Sequence, residues 1–439
     1  MATDINEIIS FIKENDVKFI RLAFCDLTGR QKNISIMPDE LNQAFDQGIS
    51  FDAHAIMGFK EIVDSDLFLV PDASTMSVLP WRPQQGRVVR FYCSIRESDG
   101  RIFNCDSRSI LSSVLENKRS AGYDFNIGAE CEFYLFKTDE NGEPTTEPFD
   151  KGGYLDVYPL DRGENIRREI CLCLEEMGIA PESSHHEQGP GQNEIDFKFS
   201  DPLTCADNLM TFKTTVRTIA ARNGLFASFS PKPLPEHSGS GLHINISYSH
   251  NGRNPFRSEP GPLNEGASAF IAGILDRVSE ITAFLDPIPN SYERFGAFEA
   301  PKYISWSHSN RSQLIRIPAA SGDKMRMELR SPDPSLNPYL AFALVISAGV
   351  DGIERMLSLP SPADIDLENT DISVTGGLNM IPSTFGKALE LAQGSDFVMK
   401  TLGCETVRKY IDLKSAELST YLNASNTYQH FINEYFRVI

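Results

Sequence analysis

A β-strand with two unlike faces is predicted for residues 125–135, which read Phe125-Asn126-Ile127-Gly128-Ala129-Glu130-Cys131-Glu132-Phe133-Tyr134-Leu135. Successive side chains of a strand point to opposite faces, so the apolar residues at odd positions share one face. Glu130 and Glu132 share the other. Two neighbouring carboxylates raise each other's pKa unless cations lie between them. The pair is therefore either solvent-exposed on a sheet, which is the commoner case for a lone pair, or part of a metal site.

The pattern on either side of this strand predicts an α+β protein of two domains. Short β-type runs at 18–24, 66–70 and 87–95, separated by turn signals, indicate a small mixed domain at residues 1–105. The remainder, residues 106–439, alternates strands with long helices and is predicted to form one larger domain.

Individual elements of the larger domain are predicted as well. Helices are expected at 108–118, 166–177 and 339–350, the last of them buried, and a polar turn at Asn141-Gly142. The Pro/Gly-rich stretches 231–241 and 255–262 are predicted to be loops.

Two polar clusters follow the first strand along the chain. Residues 185–194 form a Gly/Pro loop between carboxylates and read His185-His186-Glu187-Gln188-Gly189-Pro190-Gly191-Gln192-Asn193-Glu194. In residues 242–247, alternation places His243, Asn245 and Ser247 on one face. A lone histidine on a strand is more often structural than a ligand. Three polar side chains in register on one face nevertheless favour a pocket.

A fourth cluster combines arginines with a carboxylate. It begins at Arg311 and Arg316, and Arg326, Glu328 and Arg330 then alternate along one predicted strand. Such a row can form an ion-pair ladder on a surface. Alternatively, its guanidinium groups can bind the planar oxygens of phosphate and carboxylate, whose geometry they match.

Composition limits the possible partners and location. The chain has 439 residues, of which 41% are hydrophobic, and 41 Lys+Arg against 60 Asp+Glu give a net charge of -19. That charge repels phosphate backbones and anionic lipids, so neither nucleic-acid nor membrane partners are expected. No signal peptide is recognisable and the longest apolar stretch is shorter than the roughly 20 residues of a membrane span. A cytoplasmic protein is expected.

The 8 cysteines are scattered, which predicts reduced core residues.

Taken in this order, the four clusters resemble the glutamine synthetase family, in particular its shorter bacterial and archaeal type. The resemblance runs nearly end to end, through 24–29, 67–75 and 330–339, and Lys151-Gly152-Gly153-Tyr154 and Asn310-Arg311-Ser312 point to the family separately. It implies a small N-terminal β-grasp-like domain followed by a large catalytic domain with a curved antiparallel sheet and flanking helices. The implied activity is ATP-dependent ligation of ammonia to the γ-carboxylate of glutamate.

The resemblance further implies two metal sites. The family's tighter site, which orients glutamate and the ammonia pocket, is matched by Glu132, Glu187 and Glu194. Its second site, which holds the ATP phosphates, is matched by Glu130, His243 and Glu328. Five carboxylates and one imidazole suit Mg²⁺ or Mn²⁺. Two such ions can brace the attacking and leaving oxygens of a phosphoryl transfer.

Substrate contacts are carried over from the same resemblance. The residues matched to ATP binding are Phe199, Asn245, Ser247, Arg311, Arg316 and Arg326. Those matched to glutamate binding are Gly239, Arg294 and Arg330. Phe199 would supply a stacking face for adenosine, although ideal strand alternation counted from Glu194 puts it on the opposite face.

The family's reaction has two steps: the γ-carboxylate takes the γ-phosphate of ATP to give γ-glutamyl phosphate, and ammonia then displaces phosphate. Asp52 matches the residue that binds ammonium and accepts its proton, supplied across a subunit interface. Tyr154, Glu187 and Glu299 line the same ammonium pocket. Glu299 also matches a flap carboxylate that closes the site against water. The catalytic residues implied are Asp52, Glu299 and Arg311.

The chain departs from the family beside the amine site. Asp52-Ala53-His54-Ala55 stands where the family has Asp-Gly-Ser-Ser, and the flap is one residue shorter between Arg294 and Glu299. These changes leave a γ-glutamyl-amine ligase, acting on an alkylamine, ethanolamine or polyamine, as one alternative. A catalytically silent scaffold or regulator is another. The retention of Asp52 and Glu299 favours ammonia, and the complete set of metal and phosphate residues argues against a scaffold.

A ring-shaped homo-oligomer, a dodecamer of two hexamers, is expected because the resemblance places Asp52 in a neighbouring subunit's site. Residues 421–439, rich in Tyr and Phe, are candidate contacts with the opposite ring.

Overall fold

The computed structural model describes residues 4–82, 85–257, 263–370 and 376–439. Within these ranges the chain forms two β-sheets and eleven α-helices. The strands are β1 (Val17–Cys25), β2 (Gln31–Ile36), β3 (Ile49–Asp52), β4 (Asp66–Pro71), β5 (Ser77–Val78), β6 (Arg87–Arg96), β7 (Tyr123–Thr138), β8 (Pro144–Pro148), β9 (Pro181–His186), β10 (Gln192–Phe197), β11 (Leu225–Ser228), β12 (Leu242–His250), β13 (Trp306–His308), β14 (Ile315–Ile317) and β15 (Met327–Leu329). The α-helices are α1 (Ile5–Glu14), α2 (Leu41–Asp46), α3 (Ser107–Ser120), α4 (Glu164–Glu176), α5 (Pro202–Arg222), α6 (Glu265–Leu285), α7 (Pro338–Glu354), α8 (Phe385–Gln393), α9 (Asp396–Leu402), α10 (Cys404–Asn423) and α11 (Thr427–Phe431).

The smaller sheet belongs to the N-terminal part of the chain. Its six strands run in the order β2-β1-β6-β4-β3, with β5 paired to β6, and β1 lies parallel to β6. Ile20, Leu22 and Phe91 are fully buried in its core. The three strands predicted for this region are confirmed as β1, β4 and β6.

The larger sheet is arranged around β7. Its nine strands run in the order β13-β14-β15-β12-β7-β10-β9, and β8 and β11 pair with the far end of β7. Neighbouring strands are antiparallel except β13 and β14, which are parallel. The predicted antiparallel sheet is thus correct apart from this one pair, and the sheet is curled. Helices α5, α6 and α7 cover its apolar face.

Helix α7 shows how the local sequence determines where a helix begins. The side chain of Asn337 accepts hydrogen bonds from the main-chain nitrogens of Tyr339 and Leu340, and Pro338 occupies the first helical position, where its missing N–H costs nothing. Most of the helix is buried, which confirms the predicted buried helix. Of the helices within the described ranges, none is both long and apolar enough to span a membrane.

Two segments that carried the family resemblance meet between the domains. Gly29, with φ of 86°, lies so close to the large domain that a Cβ there would be 2.8 Å from the Leu336 carbonyl oxygen. Asn337 Nδ2 donates to the Asp26 carbonyl oxygen at 3.1 Å. A side chain at position 29 would push the β1–β2 turn away from α7, because glycine alone tolerates both the dihedral and the contact.

A buried ion-pair network connects residues 67–75, the third segment that carried the family resemblance, to the large domain beside α7. Arg108 Nη2 lies 2.9 Å from Asp72 Oδ2 of the small domain and 2.8 Å from Asp207 Oδ2 on α5. Tyr339 Oη donates to Asp207 Oδ1 at 2.7 Å. Because these charges are largely removed from water, losing one partner would leave the others uncompensated.

The remaining predictions, which concern helices, loops and cysteines, are confirmed only in part. The helices predicted at 108–118 and 166–177 and the turn at Asn141-Gly142 are confirmed. Residues 231–241 form a loop as predicted, whereas residues 258–262 of the second predicted loop lie outside the described ranges. The cysteines are not all core residues: Cys404 is exposed and two others are partly exposed.

The aromatic residues near the C-terminus pack within this chain. Phe431, Tyr435 and Phe436 are buried against Phe136 of β7. The rings of Phe136 and Phe436 lie 5.0 Å apart between centroids, in an edge-on arrangement. These three side chains contribute to the core of their own chain, whereas Leu422, Tyr428 and Val438 of the same segment are exposed, so contact with an opposite ring stays a prediction.

Candidate active site

One face of the larger sheet collects the polar residues of all four sequence clusters. The strand register sets Glu130 opposite His243 on β12 and opposite Asp196 on β10. It also sets Glu132 opposite Glu194. Directly opposed residues of antiparallel strands point to the same face. The pairing therefore gathers carboxylates 60 and more positions apart in sequence onto a single surface, while the apolar residues between them enter the core.

The cavity above this face has a volume of about 530 Å³. Lining it are all six predicted metal ligands except Glu328, together with Tyr154, Gly239, Arg294, Glu299, Arg311, Arg316, Arg326 and Arg330. Glu328 lies beneath, 1% exposed, with its carboxylate against His243. The structure thus brings together nearly every residue assigned to the metal, phosphate and glutamate sites.

The predicted second metal site is compact. The donor atoms of Glu130, His243 and Glu328 all lie within 4.8 Å of one another. His243 Nδ1 is 3.5 Å from Glu130 Oε2 and 3.6 Å from Glu328 Oε1. Burial disfavours ionisation of Glu130, but the hydrogen bond and charge of His243 outweigh it and lower the pKa of Glu130 to about 2.

Glu328 is neutralised by arginines. Arg316 Nη1 and Arg330 Nη1 each lie 2.5 Å from one of its carboxylate oxygens. Burial opposes ionisation of this carboxyl, yet Arg330 above all keeps its pKa below the usual value. The predicted ladder of Arg326, Glu328 and Arg330 on one face is only partly an ion-pair ladder, because Arg326 Nε donates instead to Asn245 Oδ1 at 2.7 Å.

The predicted tighter site has a different character. Glu132 Oε2 accepts hydrogen bonds from Gln192 Nε2 and from the Gly241 main-chain nitrogen, both at 2.9 Å, and Glu187 Oε2 accepts one from the Gln188 nitrogen at 3.0 Å. No arginine or lysine forms an ion pair with Glu132, Glu187 or Glu194 anywhere in the described ranges.

The pKa values of these carboxyls reflect that surplus of negative charge. Burial is the main cause, and it raises the pKa of Glu132 and of Glu187 to about 7. The pKa of Glu194 is also raised, first by burial and then by the charges of Asp196 and Glu132. Carboxylates so placed are stabilised when a cation binds between them.

His185 and Asp196, which were not predicted as site residues from the sequence, lie beside these carboxyls. The donor atoms of His185, Glu194 and Asp196 lie within 4.8 Å of one another, whereas Glu132, Glu187 and Glu194 do not form such a group within the described residues. Asp196 Oδ1 is buried and accepts no hydrogen bond there. Its position was available from the sequence, because Asp196 follows Glu194 by two residues on the same strand face.

The donor set fits hard divalent cations. Carboxylate oxygens with one or two imidazole nitrogens are the ligands that Mg²⁺ and Mn²⁺ accept, and Asp196, one of whose oxygens has no hydrogen-bond partner within the described residues, belongs to such a group. A second acidic group, Asp150, Asp161 and His186, is different because Arg167 and several main-chain N–H groups already satisfy it.

The glutamate end of the cavity is formed by Gly239 and two arginines. A Cβ on Gly239 would lie 2.5 Å from the Pro231 carbonyl oxygen and 2.6 Å from Arg294 Cγ, so only glycine fits. Arg294, 3% exposed, donates through Nη1 to the Ser331 carbonyl oxygen at 2.8 Å. The shortened flap therefore still leaves Arg294 in the cavity wall.

The flap itself is held in an unusual backbone conformation. Phe298 and Glu299 both have positive φ, 53° and 64°, which costs energy for residues other than glycine. Lys232 Nζ lies 4.7 Å from the centre of the Phe298 ring, and Glu299 Oε2 lies 3.7 Å from Arg330 Nη2. These contacts keep Glu299 at the edge of the cavity.

The nucleotide end is a smaller adjoining cavity of about 230 Å³ that shares Glu130, Asp196 and Arg326 with the main one. Phe199, Asn245 and Ser247 line it. Phe199 packs beside Gly128, whose Cβ would lie 3.5 Å from that of Phe199. The alternation argument against Phe199 fails because β10 ends at Phe197, so the chain is free to turn before residue 199.

Asp52 is the one predicted catalytic residue outside this arrangement. It lies at the end of β3, exposed, and its side chain accepts a hydrogen bond from the His54 nitrogen at 3.0 Å. It does not line the active-site cavity of its own chain.

Comparison with known proteins agrees with this geometry. Residues 16–98 match the family profile for the glutamine synthetase beta-Grasp domain, and residues 104–431 match the profile for the glutamine synthetase catalytic domain. Glutamine synthetase of Clostridium saccharobutylicum is 43% identical over 436 residues, covering 98% of both chains. Glutamine synthetase of Methanosarcina mazei is 43% identical over 425 residues, covering 96% of this chain and 95% of that one.

Solved structures show the same fold. A structure described as a GmaS/ADP complex superimposes with a TM-score of 0.87 at 29% identity and covers 98% of each chain. The same protein without ligand gives a TM-score of 0.86 over 96% of this chain and 98% of that one. With two family profiles spanning most of its length and close relatives matched nearly end to end, this chain belongs to the glutamine synthetase family.

Proposed function

We propose that this protein is an ATP-dependent glutamate–ammonia ligase that produces glutamine, ADP and phosphate. The observation that carries the proposal is the row of carboxylates, His243 and arginines that the strand register gathers above one sheet face. The relatives named glutamine synthetase, 43% identical over nearly the whole chain, support ammonia as the acceptor and do not favour the γ-glutamyl-amine alternative.

The family uses ATP and divalent metal ions. We assign one ion to Glu130, His243 and Glu328 and a second to Glu132, Glu187 and Glu194, with Asp196 and His185 beside them. Mg²⁺ or Mn²⁺ bound there would supply positive charge to the oxygens of the transferred phosphate and its leaving group. Buried carboxylates without cationic partners, and the unpartnered Asp196 oxygen, support this assignment.

The remaining residues divide between the substrates. Arg311, Arg316 and Arg326 line the cavity between the two ends and are assigned to the phosphates, where fixed guanidinium groups stabilise developing negative charge. Phe199, Asn245 and Ser247, which line the smaller cavity, are assigned to the nucleoside. A neighbour of the same fold described as an ADP complex supports nucleotide binding by this fold.

Glutamate is assigned to the other end of the cavity. Gly239, Arg294 and Arg330 line that end, and the guanidinium groups match a carboxylate of the substrate. Glu299 and Phe298 are assigned to closure over the reactive acyl phosphate, which protects it from water.

Asp52 is assigned to the amine of a neighbouring subunit's site, with Tyr154, Glu187 and Glu299. The exposure of Asp52, which does not line the cavity of its own chain, supports a ring-shaped homo-oligomer, for which we propose a dodecamer. Light scattering combined with an activity assay tests this, and an active monomer would contradict it. The cytoplasmic location stays a prediction.

We place the domain boundary between residues 105 and 106. Cys105 is the last residue of the small core, and Leu111 on α3 already belongs to the large one. The two family profiles end and begin at 98 and 104, close to this boundary.

A panel of amines tests the acceptor. Phosphate release is measured with glutamate and ATP in the presence of ammonium, methylamine, ethanolamine or putrescine. We expect ammonium to have the highest kcat/KM. An alkylamine preferred by about tenfold or more, the effect of roughly 1.4 kcal/mol of extra apolar burial, would establish the alternative instead.

A variant of Asp52 tests the assigned base. Asp52→Ala should lower amide formation by roughly 10²-fold while slow phosphate release without amine continues, because the first half-reaction uses other residues. Asp66→Ala is the matched control, since Asp66 is an exposed carboxylate paired with Asp52 across the same sheet. Equal losses in both variants would remove Asp52 from the mechanism.

A further inference from the structure

A second polar cavity, of about 440 Å³, lies where the β1–β2 hairpin meets α5 and the C-terminal part of the chain. It shares no lining residue with the active-site cavity. Its wall holds six cationic side chains, Arg21, Arg30, Lys32, Lys213, Arg217 and Lys414, against a single side-chain carboxylate, Glu417. This local excess of positive charge occurs in a chain whose net charge is -19.

Lys213 is the most telling of these cations. It projects from α5, is 5% exposed, and makes no hydrogen bond or ion pair within the described parts of the chain. Burying an ammonium group without a partner is costly. Burial, together with the like charge of Arg217, lowers the pKa of Lys213 to about 8. An anion in the cavity would relieve both effects.

Its neighbours are only partly neutralised. Arg217 donates at 2.5 Å to an oxygen of Ile439, the last residue of the sequence, whose terminal carboxylate partly balances its charge, and it lies 5.0 Å from the centre of the Phe229 ring. Arg30 is exposed at the mouth of the cavity and adds a further like charge near Arg217.

Two of the three remaining cations, Lys414 and Lys32, have acidic partners. Lys414 Nζ lies 3.0 Å from Glu417 Oε2, which leaves this pair neutral. Lys32 is 3.7 Å from Asp26, a long contact for an exposed lysine. Positive charge is therefore left over chiefly at Lys213 and Arg30, which come from different domains, while Arg217 is balanced only by its contact with Ile439.

We propose that this cavity binds a small multivalent phosphate compound, with Lys213 as its buried anchor and Arg30 and Arg217 as guanidinium contacts. A volume of about 440 Å³ falls within the roughly 300–1,000 Å³ typical of small-molecule sites. Guanidinium forks and a compact ammonium group are the side chains that proteins use for phosphate. Because the hairpin belongs to the small domain and α5 to the large one, a bound phosphate compound bridges the two domains.

Inorganic pyrophosphate is a suitable probe, and isothermal titration calorimetry of the intact protein measures its binding. Lys213→Met keeps the approximate volume of the side chain and removes the charge; Arg30→Gln removes a charge at an exposed position and carries the test if the first variant folds poorly. Each should weaken pyrophosphate binding at least tenfold. Arg96→Gln, which removes an exposed arginine of the same domain outside the cavity, should leave the affinity unchanged.

The active site is the competing location for pyrophosphate, and Arg316→Gln distinguishes it. Under the proposal, Arg316→Gln keeps the binding that Lys213→Met and Arg30→Gln lose. Binding that is lost only in Arg316→Gln, or that survives both cavity variants, overturns the proposal. So does the absence of measurable binding to the unmodified protein.

Discussion

The two halves of the active site contain similar ligands in opposite electrostatic surroundings. Glu130 and Glu328 lie next to His243, Arg316 and Arg330, and both have a lowered pKa. This half carries its own counter-charges, so its carboxylates remain ionised without help from a metal.

Within the described residues, the other half has no arginine or lysine partner and only one imidazole, His185, which lies 3.4 Å from Glu187 and 3.7 Å from Glu194. Burial above all raises the pKa of Glu132 and of Glu187 to about 7 and that of Glu194 well above its usual value, and burial with the charge of Glu130 raises the pKa of Asp196 to about 6. The contrast teaches that one half is preorganised by the protein itself, whereas the other depends on bound cations for its charge balance. Each prediction below separates the two.

The largest effect is expected from Glu194→Gln. Losing a ligand in the half without counter-charges should lower ligase activity by roughly 10³-fold, the loss of several kcal/mol of charge stabilisation. The metal-free protein should nevertheless melt at a higher temperature at pH 8, because a buried, uncompensated carboxyl is gone. Activity assays and thermal melts in chelator test this. A lower melting temperature would mean that the carboxyl is structurally compensated.

Glu328→Gln should have the opposite effect on stability. It leaves Arg316 and Arg330 facing a neutral group, and breaking a buried pair costs about 3–5 kcal/mol. Activity should fall by roughly 10²-fold as well, since the phosphate site loses a ligand. Chemical denaturation without metal measures the first effect. Glu143→Gln, which breaks an exposed pair with Arg437, is the control and should cost under about 1 kcal/mol.

Asp196→Asn should lower the affinity for metal roughly tenfold, as expected for a residue that supports the metal ligands without being one of them. Titration of Mn²⁺ into the metal-free protein provides the measurement. A far larger loss would make Asp196 a direct ligand, and no loss would leave its buried oxygen without a role.

Stability of the metal-free protein should fall as pH rises from about 4.5 to about 7. In that window the folded state holds protons on Glu132 and Glu187 that the unfolded chain has released, so the unfolded state gains relative stability with increasing pH. Glu130, whose pKa is lowered to about 2, acts in the opposite direction: its contribution to stability rises with pH until the unfolded carboxyl, with a pKa of about 4.5, has ionised, and it opposes the decline only at the acidic end of this window.

Metal ions should reverse the trend. Because binding requires ionised carboxylates, Mg²⁺ should raise the melting temperature more at pH 8 than at pH 5. Melting curves at both pH values, with and without Mg²⁺, provide the measurement. An equal increase at the two pH values would contradict the role assigned to the half without counter-charges.

Much of this site was predictable from the sequence because it depends on local periodicity. Alternation along single strands placed Glu130 with Glu132, and His243 with Asn245, on polar faces. The order of these segments was enough to indicate the family. The same rule would have identified Asp196, had it been applied from Glu194.

Features that join distant segments could not be predicted in this way. Strand register alone brings Arg316 to Glu328 and Glu132 to Glu194, and turns beyond the strand end bring Phe199 beside Gly128. The sequence by itself determined which side chains share a strand face, since the alternation of a strand is fixed by its own backbone. The tertiary structure decided which carboxylates have arginine partners, and that Lys213 of α5 would be buried beside a hairpin of the other domain, because charge compensation and desolvation depend on neighbours from elsewhere in the chain.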